Sequence, residues 1–151
     1  MAVFWVVILA ITSIAIVFQD YKTRLIDLWL LLIYAVVNCL FYLQSSSIIQ
    51  LFHNVLFCLS YFVLTYFVLL VYFYFKEKSF VNIINTKIGL GDLLVFLGIG
   101  CGLPAEVAVY FFTSGFILSL IFHTLFIGSS KSVPLAANFT LIYLLYLMFL
   151  K

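Results

Sequence analysis

Two aspartates stand at the ends of hydrophobic segments in this chain, where charged side chains are uncommon. Asp20 ends the first apolar segment, and Asp92 opens a later one directly after Gly89-Leu90-Gly91. Because a charge is costly at membrane depth, an acid there is interpreted as functional by default. Two neighbouring carboxylates cannot both ionise freely, so they share one proton. One of them can then act as a general base and the other as a general acid. The two acids therefore predict acid/base chemistry, provided that the fold brings them together.

Each of these acids also has a structural explanation. Asp20 could form a salt bridge with Lys22 or Arg24 at a helix end. Asp92 could cap the helix that it opens, a position where aspartate is favoured. Asp27 is interpreted in the same way, as the N-cap of the second helix. Taken singly, either explanation competes with catalysis; the two acids together favour catalytic roles for Asp20 and Asp92.

The composition is that of an integral membrane protein. Of the 151 residues 68% are hydrophobic and 8% are charged, and a soluble domain of this size buries only part of its surface. The net charge of +2 is too small to predict a nucleic-acid partner. The three cysteines lie in apolar segments without CxxC spacing, which argues against a disulfide framework or a zinc site. We expect neither a metal nor a cofactor.

Hydrophobic segments predict an all-α bundle of six transmembrane helices in a single domain over residues 1–151. A spanning helix needs about 20 apolar residues, fewer where neighbouring helices cover it. The N-terminal segment has no Lys or Arg before its apolar run, so we expect a retained span rather than a signal peptide. The predicted spans cover residues 2–19, 27–43, 48–75, 92–103, 105–127 and 132–150.

Basic residues give the predicted orientation. With six spans, six of the seven Lys and Arg residues fall on one side of the membrane and Lys151 falls on the other. The positive-inside rule assigns the side with six to the cytoplasm. The N-terminus is then outside, and the protein is a multi-pass protein of the cytoplasmic (inner) membrane. Asp20 and Asp92 both lie at the cytoplasmic face, at the same depth. Residues 76–90 form the longest connection, and the apolar residues within it predict a stretch along the membrane interface.

The two acids stand in motifs that resemble those of the type IV prepilin and preflagellin peptidases, membrane-embedded aspartic proteases. The first motif is Asp20-Tyr21-Lys22-Thr23-Arg24-Leu25-Ile26, and the second is GxGD, here Gly89-Leu90-Gly91-Asp92. The resemblance is to the short forms that consist of the membrane domain alone. It implies an endopeptidase that cleaves the basic leader peptide of type IV pilin-like precursors at the cytoplasmic face. Its partners would be the precursor and the lipid bilayer, and the sequence leaves its oligomeric state open.

The resemblance implies catalytic roles for Asp20 and Asp92. Gly89 and Gly91 are expected to bind substrate, since glycine lets an extended peptide approach the backbone closely. One carboxylate would remove a proton from water and the other would polarise the scissile carbonyl; the sequence does not say which does which.

The chain also departs from the family at two places. Asp27-Leu28 stands where many members have Pro followed by Asn or Asp, and Leu93-Leu94 stands where a Lys often follows GxGD. These departures favour an alternative: a catalytically inactive, peptidase-like membrane component of a pilus or secretion assembly system. An ion or proton carrier ranks last, because further polar residues along a conducting path are missing.

Overall fold

The described part of the protein is all helical. A computed structural model describes residues 2–78, 89–126 and 134–149, and within these ranges it contains six helices and no strand. The predicted helical class is confirmed. In chain order the helices are α1 (Ala2–Thr23), α2 (Leu28–Leu43), α3 (Ile48–Glu77), α4 (Leu90–Gly102), α5 (Ala105–Phe126) and α6 (Leu135–Phe149).

Three of these helices are long and apolar enough to cross a membrane. The stretches are Phe4–Thr23 in α1, Ile48–Tyr72 in α3 and Ala105–Phe122 in α5. The other three helices are apolar but shorter, with 16 residues in α2, 13 in α4 and 15 in α6. At about 1.5 Å of rise per residue, α4 is roughly 20 Å long, less than the bilayer core of about 30 Å. The long apolar helices indicate a membrane protein.

Two helix ends near the acids differ from the predicted ones. α1 continues past residue 19 to Thr23, so Asp20 lies inside its last turn. The helix ends there because Arg24 has a φ of 58°, the left-handed conformation that commonly follows a helix C-terminus. α4 begins at Leu90, so Asp92 lies in its first turn.

α2 and α4 run side by side in the same direction. Three glycines of α4 lie against residues of α2, or of the turn before it, that come progressively later in the chain. A Cβ added to each glycine would meet these residues. The pairs are Gly91 with Ile26, Gly98 with Tyr34, and Gly102 with Asn38. Both helices therefore begin at the same end of the bundle.

The end of α1 and the start of α6 meet at that same end, where Asp20 contacts Ala137. At the opposite end, Asn54 near the start of α3 accepts a hydrogen bond from the backbone N–H of Ala105 at the start of α5. One end of the bundle thus gathers the C-terminus of α1 and the N-termini of α2, α4 and α6.

An aromatic core holds α4, α5 and α6 together. Phe96 and Phe139 are buried, and their ring centroids are 4.5 Å apart in an edge-to-face arrangement. The ring of Phe112 joins them, with centroids 5.8 Å from Phe96 and 5.9 Å from Phe139. Phe139 also lies against Gly115, where a Cβ would overlap its ring. Buried aromatic pairs of this geometry stabilise a core beyond the area they bury.

Some predicted features lie outside the described residues. They are the interfacial stretch within residues 79–88, Lys87 and Lys131.

Candidate functional site

Asp20 is a buried acid whose carboxylate turns toward α6. Only 6% of the residue is exposed. Its Oδ2 atom accepts a hydrogen bond of 2.9 Å from the backbone N–H of Ala137, in the first turn of α6. A carboxylate buried in an apolar bundle needs such a donor, because an unpaired charge there is costly.

Asp92 is half-buried and uses both of its carboxylate oxygens. Oδ1 accepts a hydrogen bond of 2.9 Å from the backbone N–H of Ala136, and Oδ2 accepts one of 3.2 Å from the backbone N–H of Gly89. The second bond closes the turn in front of α4, because Asp92 is the third residue of the helix and Gly89 precedes it. The first bond ties the start of α4 to the start of α6.

The two carboxylates therefore meet at the N-terminus of α6, on adjacent backbone amides. Each of the two accepting oxygens is 2.9 Å from its nitrogen, and the two nitrogens belong to adjacent residues. Oδ2 of Asp20 and Oδ1 of Asp92 therefore lie no more than about 9 Å apart. The first amides of a helix have no partners within the helix, and its dipole favours negative charge at this end. This end of α6 thus orients two acids that are distant in sequence.

Gly89 and Gly91 lie beside the two acids. A Cβ on Gly89 would stand 3.1 Å from Oδ2 of Asp92, a tight contact with the carboxylate. A Cβ on Gly91 would stand 3.7 Å from Cδ1 of Ile26, which is ordinary van der Waals contact. The two sequence motifs are therefore adjacent at Ile26 and Gly91. The substrate-binding role of the glycines stays a prediction.

Tyr21 and Asn138 form a second link between α1 and α6, and the sequence did not identify Tyr21 as the partner of Asn138. The hydroxyl of Tyr21 donates a hydrogen bond of 3.1 Å to Oδ1 of Asn138. Each residue directly follows a residue of the Asp20–Ala137 hydrogen bond. A polar residue in the first turn of an apolar helix was the available signal, because such residues seek partners on neighbouring helices.

The structural explanations for the acids are only partly right. Within the described residues Asp20 pairs with a backbone amide, and no ion pair joins it to Lys22 or Arg24. The N-cap of α4 is Gly89 rather than Asp92. Asp27 is the N-cap of α2, as predicted, but its side chain makes no capping bond; Oδ2 accepts a hydrogen bond from Nε2 of Gln19 at 2.7 Å.

Across residues 2–78, 89–126 and 134–149, no group of three or more His, Cys, Asp or Glu side chains is arranged to hold a metal ion. The chemistry that these residues can supply is that of two carboxylates, backbone amides and the polar pair Tyr21 and Asn138.

Comparison with protein-family models, curated proteins and solved structures finds no match for this chain. The two motifs and the site geometry are therefore the basis for assigning a function.

Proposed function

We propose that this protein is a membrane-embedded aspartic endopeptidase of the prepilin-peptidase type. The observation that carries the proposal is the meeting of Asp20 and Asp92 on adjacent amides of α6. Residues 72 positions apart in the sequence reach one site at one end of the bundle. Two carboxylates in one site are the groups with which an aspartic peptidase hydrolyses a peptide bond.

The proposal includes a six-span arrangement with the N-terminus outside and the acids at the cytoplasmic face of the inner membrane. The short helices α2, α4 and α6 would span with the longer ones, which cover part of their surface. The shared direction of α2 and α4 and the gathering of helix ends around Asp20 support this arrangement. The basic residues Lys22 and Arg24 next to Asp20 support the cytoplasmic assignment of that end.

In the proposed mechanism one carboxylate accepts a proton from water, and the water oxygen attacks the scissile carbonyl carbon. The protonated carboxyl of the other aspartate donates a hydrogen bond to the carbonyl oxygen, where negative charge develops. The carbon–nitrogen bond then breaks, and the amine leaves with a proton from the dyad. The backbone amides of Ala136 and Ala137 hold both carboxylates in place throughout.

The resemblance to the prepilin peptidases implies the substrate class, and the proposed position of the site fits it. A precursor with a short basic leader, a glycine and then an apolar helix would place its helix in the bilayer and its leader at the membrane surface. The cleavage point then lies at the depth of the two carboxylates. Membranes containing the protein are incubated with such a precursor, beside membranes containing Asp20→Ala or Asp92→Ala. We expect shortening of the precursor by wild-type protein only; cleavage that persists in both variants contradicts the proposal.

A second function is favoured by the same hydrogen bonds, because they would also serve a purely structural purpose. Asp20 and Asp92 cap the N-terminus of α6 and join three helices, which needs no catalysis. A peptidase-like assembly component would keep these bonds and lack activity. It predicts that Asp92→Asn preserves function, because asparagine retains an oxygen that can accept the hydrogen bond from the Ala136 amide, although the bond from Gly89 is lost.

A further inference from the structure

An apolar groove is lined by residues that are next to Asp20 and Ala137 in the sequence. It has a volume of about 350 Å³ and lies between α5 and α6, with Tyr21 of α1 at one end. We call it the α5–α6 groove. Six of the residues that line it are Tyr21, Ser119, Leu125, Asn138, Leu141 and Leu145.

The lining residues of α6 recur at helical spacing. Asn138, Leu141 and Leu145 lie on one face of α6, and Leu118 and Leu125 lie on the facing side of α5. Seven residues of helix rise about 10 Å, so the lining residues of each helix cover roughly two turns. Apolar lining over two turns can accept the side chains on one face of an apolar helix, which is how helices are bound in grooves.

The groove and the acid site share residues. Tyr21 and Asn138 line the groove and are hydrogen-bonded to each other, and they are the sequence neighbours of Asp20 and Ala137. A helix lying in the groove would therefore contact the residues that follow Asp20 and Ala137 in the sequence.

Two buried polar atoms in the groove have no hydrogen-bond partner among the described residues. They are Oγ of Ser119, whose residue is 1% exposed, and Nδ2 of Asn138, whose residue is 6% exposed. Hydroxyls in apolar helices usually bond to a carbonyl three or four residues earlier. Thr113 and Thr124 of the same helix do so, at 2.8 Å and 2.9 Å. Ser119 and Asn138 both line the groove, and each therefore has a donor that no described residue uses.

A lipid acyl chain has no acceptor for these donors. A peptide that enters a protease site must be extended near the scissile bond, so its carbonyls there lose their helical partners and need new ones. We infer that the α5–α6 groove binds the apolar helix of the precursor, with Asn138 and Ser119 donating to its carbonyls. This inference rests on the proposed function, whose substrate-binding surface it identifies.

Photo-crosslinking tests the inference without requiring cleavage. Benzoylphenylalanine replaces Leu141 or Leu145 in the groove, or Leu64 as a control on the exposed face of α3. The probe is a co-expressed precursor with a basic leader, a glycine and a 20-residue apolar helix, and the chain also carries Asp20→Ala so that the precursor stays intact. We expect crosslinks to the precursor helix from both groove positions and none from position 64. Crosslinks only to lipid, within the chain or to a second copy overturn the inference.

Kinetics then separate this inference from the proposed function. Ser119→Ala and Leu141→Trp should raise KM about fivefold to tenfold with little change in kcat, because a lost hydrogen bond or a filled groove weakens binding alone. Leu64→Trp should leave both constants unchanged. Cleavage with unchanged KM in both groove variants overturns substrate binding in the groove and is still consistent with a peptidase. Crosslinking from the groove without cleavage by the wild-type protein refutes the peptidase activity and is still consistent with binding in the groove.

Discussion

Asp20 and Asp92 accept hydrogen bonds of equal length, 2.9 Å, from the adjacent amides of Ala137 and Ala136. The relationship couples three helices, since α1 and α4 supply the acids and α6 supplies the donors. It also gives the acids fixed orientations without any basic side chain in hydrogen-bonding contact among the described residues. A helix N-terminus supplies two backbone donors side by side. Two side-chain donors would each have to be positioned separately.

Substituting asparagine for the acids separates catalysis from capping. Asp20→Asn keeps an oxygen for its one amide bond, and Asp92→Asn keeps an oxygen for one of its two amide bonds. Both changes remove the group that exchanges protons, so we expect cleavage to fall at least about 100-fold. Protein level and thermal stability should change little for Asp20→Asn, and Asp92→Asn should lose some stability because its NH2 group faces a backbone N–H. The rate of precursor cleavage in membranes, normalised to the amount of protein, is the measurement.

Asp27→Asn is the matched control. Asp27 is exposed at the same end of the bundle and pairs with Gln19, away from α6. The same chemical change there should leave the cleavage rate near that of the wild-type protein. Full activity of Asp92→Asn would instead identify the acids as structural caps.

The two motif glycines should respond differently to alanine. Gly89→Ala places a Cβ 3.1 Å from the carboxylate of Asp92, so the carboxylate must shift and kcat should fall about tenfold or more. Gly91→Ala meets only Ile26 at an ordinary distance, which leaves the acids in place. Its effect should be confined to KM, because the added methyl group obstructs an extended substrate near the backbone.

Steady-state cleavage of the precursor by both glycine variants measures this difference. A fall in kcat for Gly91→Ala would show that its packing on Ile26 positions the acids. Unchanged KM for Gly91→Ala would remove that glycine from the substrate-binding surface.

Much of the fold followed from hydropathy, but the site followed only in part. The six apolar segments correspond to the six helices within a few residues, since long apolar runs bounded by polar residues leave few alternatives. The extension of α1 past Asp20 was missed, because the helix ends at the left-handed Arg24, a position that glycine usually signals.

The donors to the acids had no sequence signal at all. Ala136 and Ala137 contribute backbone amides, so their side chains carry no trace of the role. Which helix N-terminus the acids approach depends on tertiary packing, which local patterns do not encode. The bond between Asn138 and Tyr21 likewise depends on tertiary packing, because it forms only where α1 and α6 are adjacent.

Cysteine accessibility tests the proposed orientation. Leu25→Cys places a thiol in the exposed turn between α1 and α2, and Ser45→Cys places one in the turn between α2 and α3. We expect a membrane-impermeant maleimide to label position 45 in intact cells and position 25 only in inverted vesicles, because six spans put the two turns on opposite sides.

The wild-type chain supplies the blank for this labelling, since Cys58 and Cys101 are buried and Cys39 is partly buried. Labelling of both positions from the same side of the membrane contradicts the six-span arrangement. Labelling of position 25 from outside alone reverses the orientation and places the acids at the outer face.

The aromatic core should be required both for stability and for the geometry of the acids. Phe139 follows Ala136 by three residues and packs on Phe96, which follows Asp92 by four. Removing this ring leaves a cavity between α4 and α6, so Phe139→Ala should lower the free energy of unfolding by about 3–5 kcal/mol. Because the same contact holds Asp92 near Ala136, the fraction that remains folded should also cleave more slowly.

Phe149→Ala, on the exposed face of α6, is the matched control and should change neither quantity appreciably. Unfolding in detergent micelles and cleavage per folded molecule measure the two effects; a stability loss without a fall in rate would show that the amide bonds alone keep the acids in place.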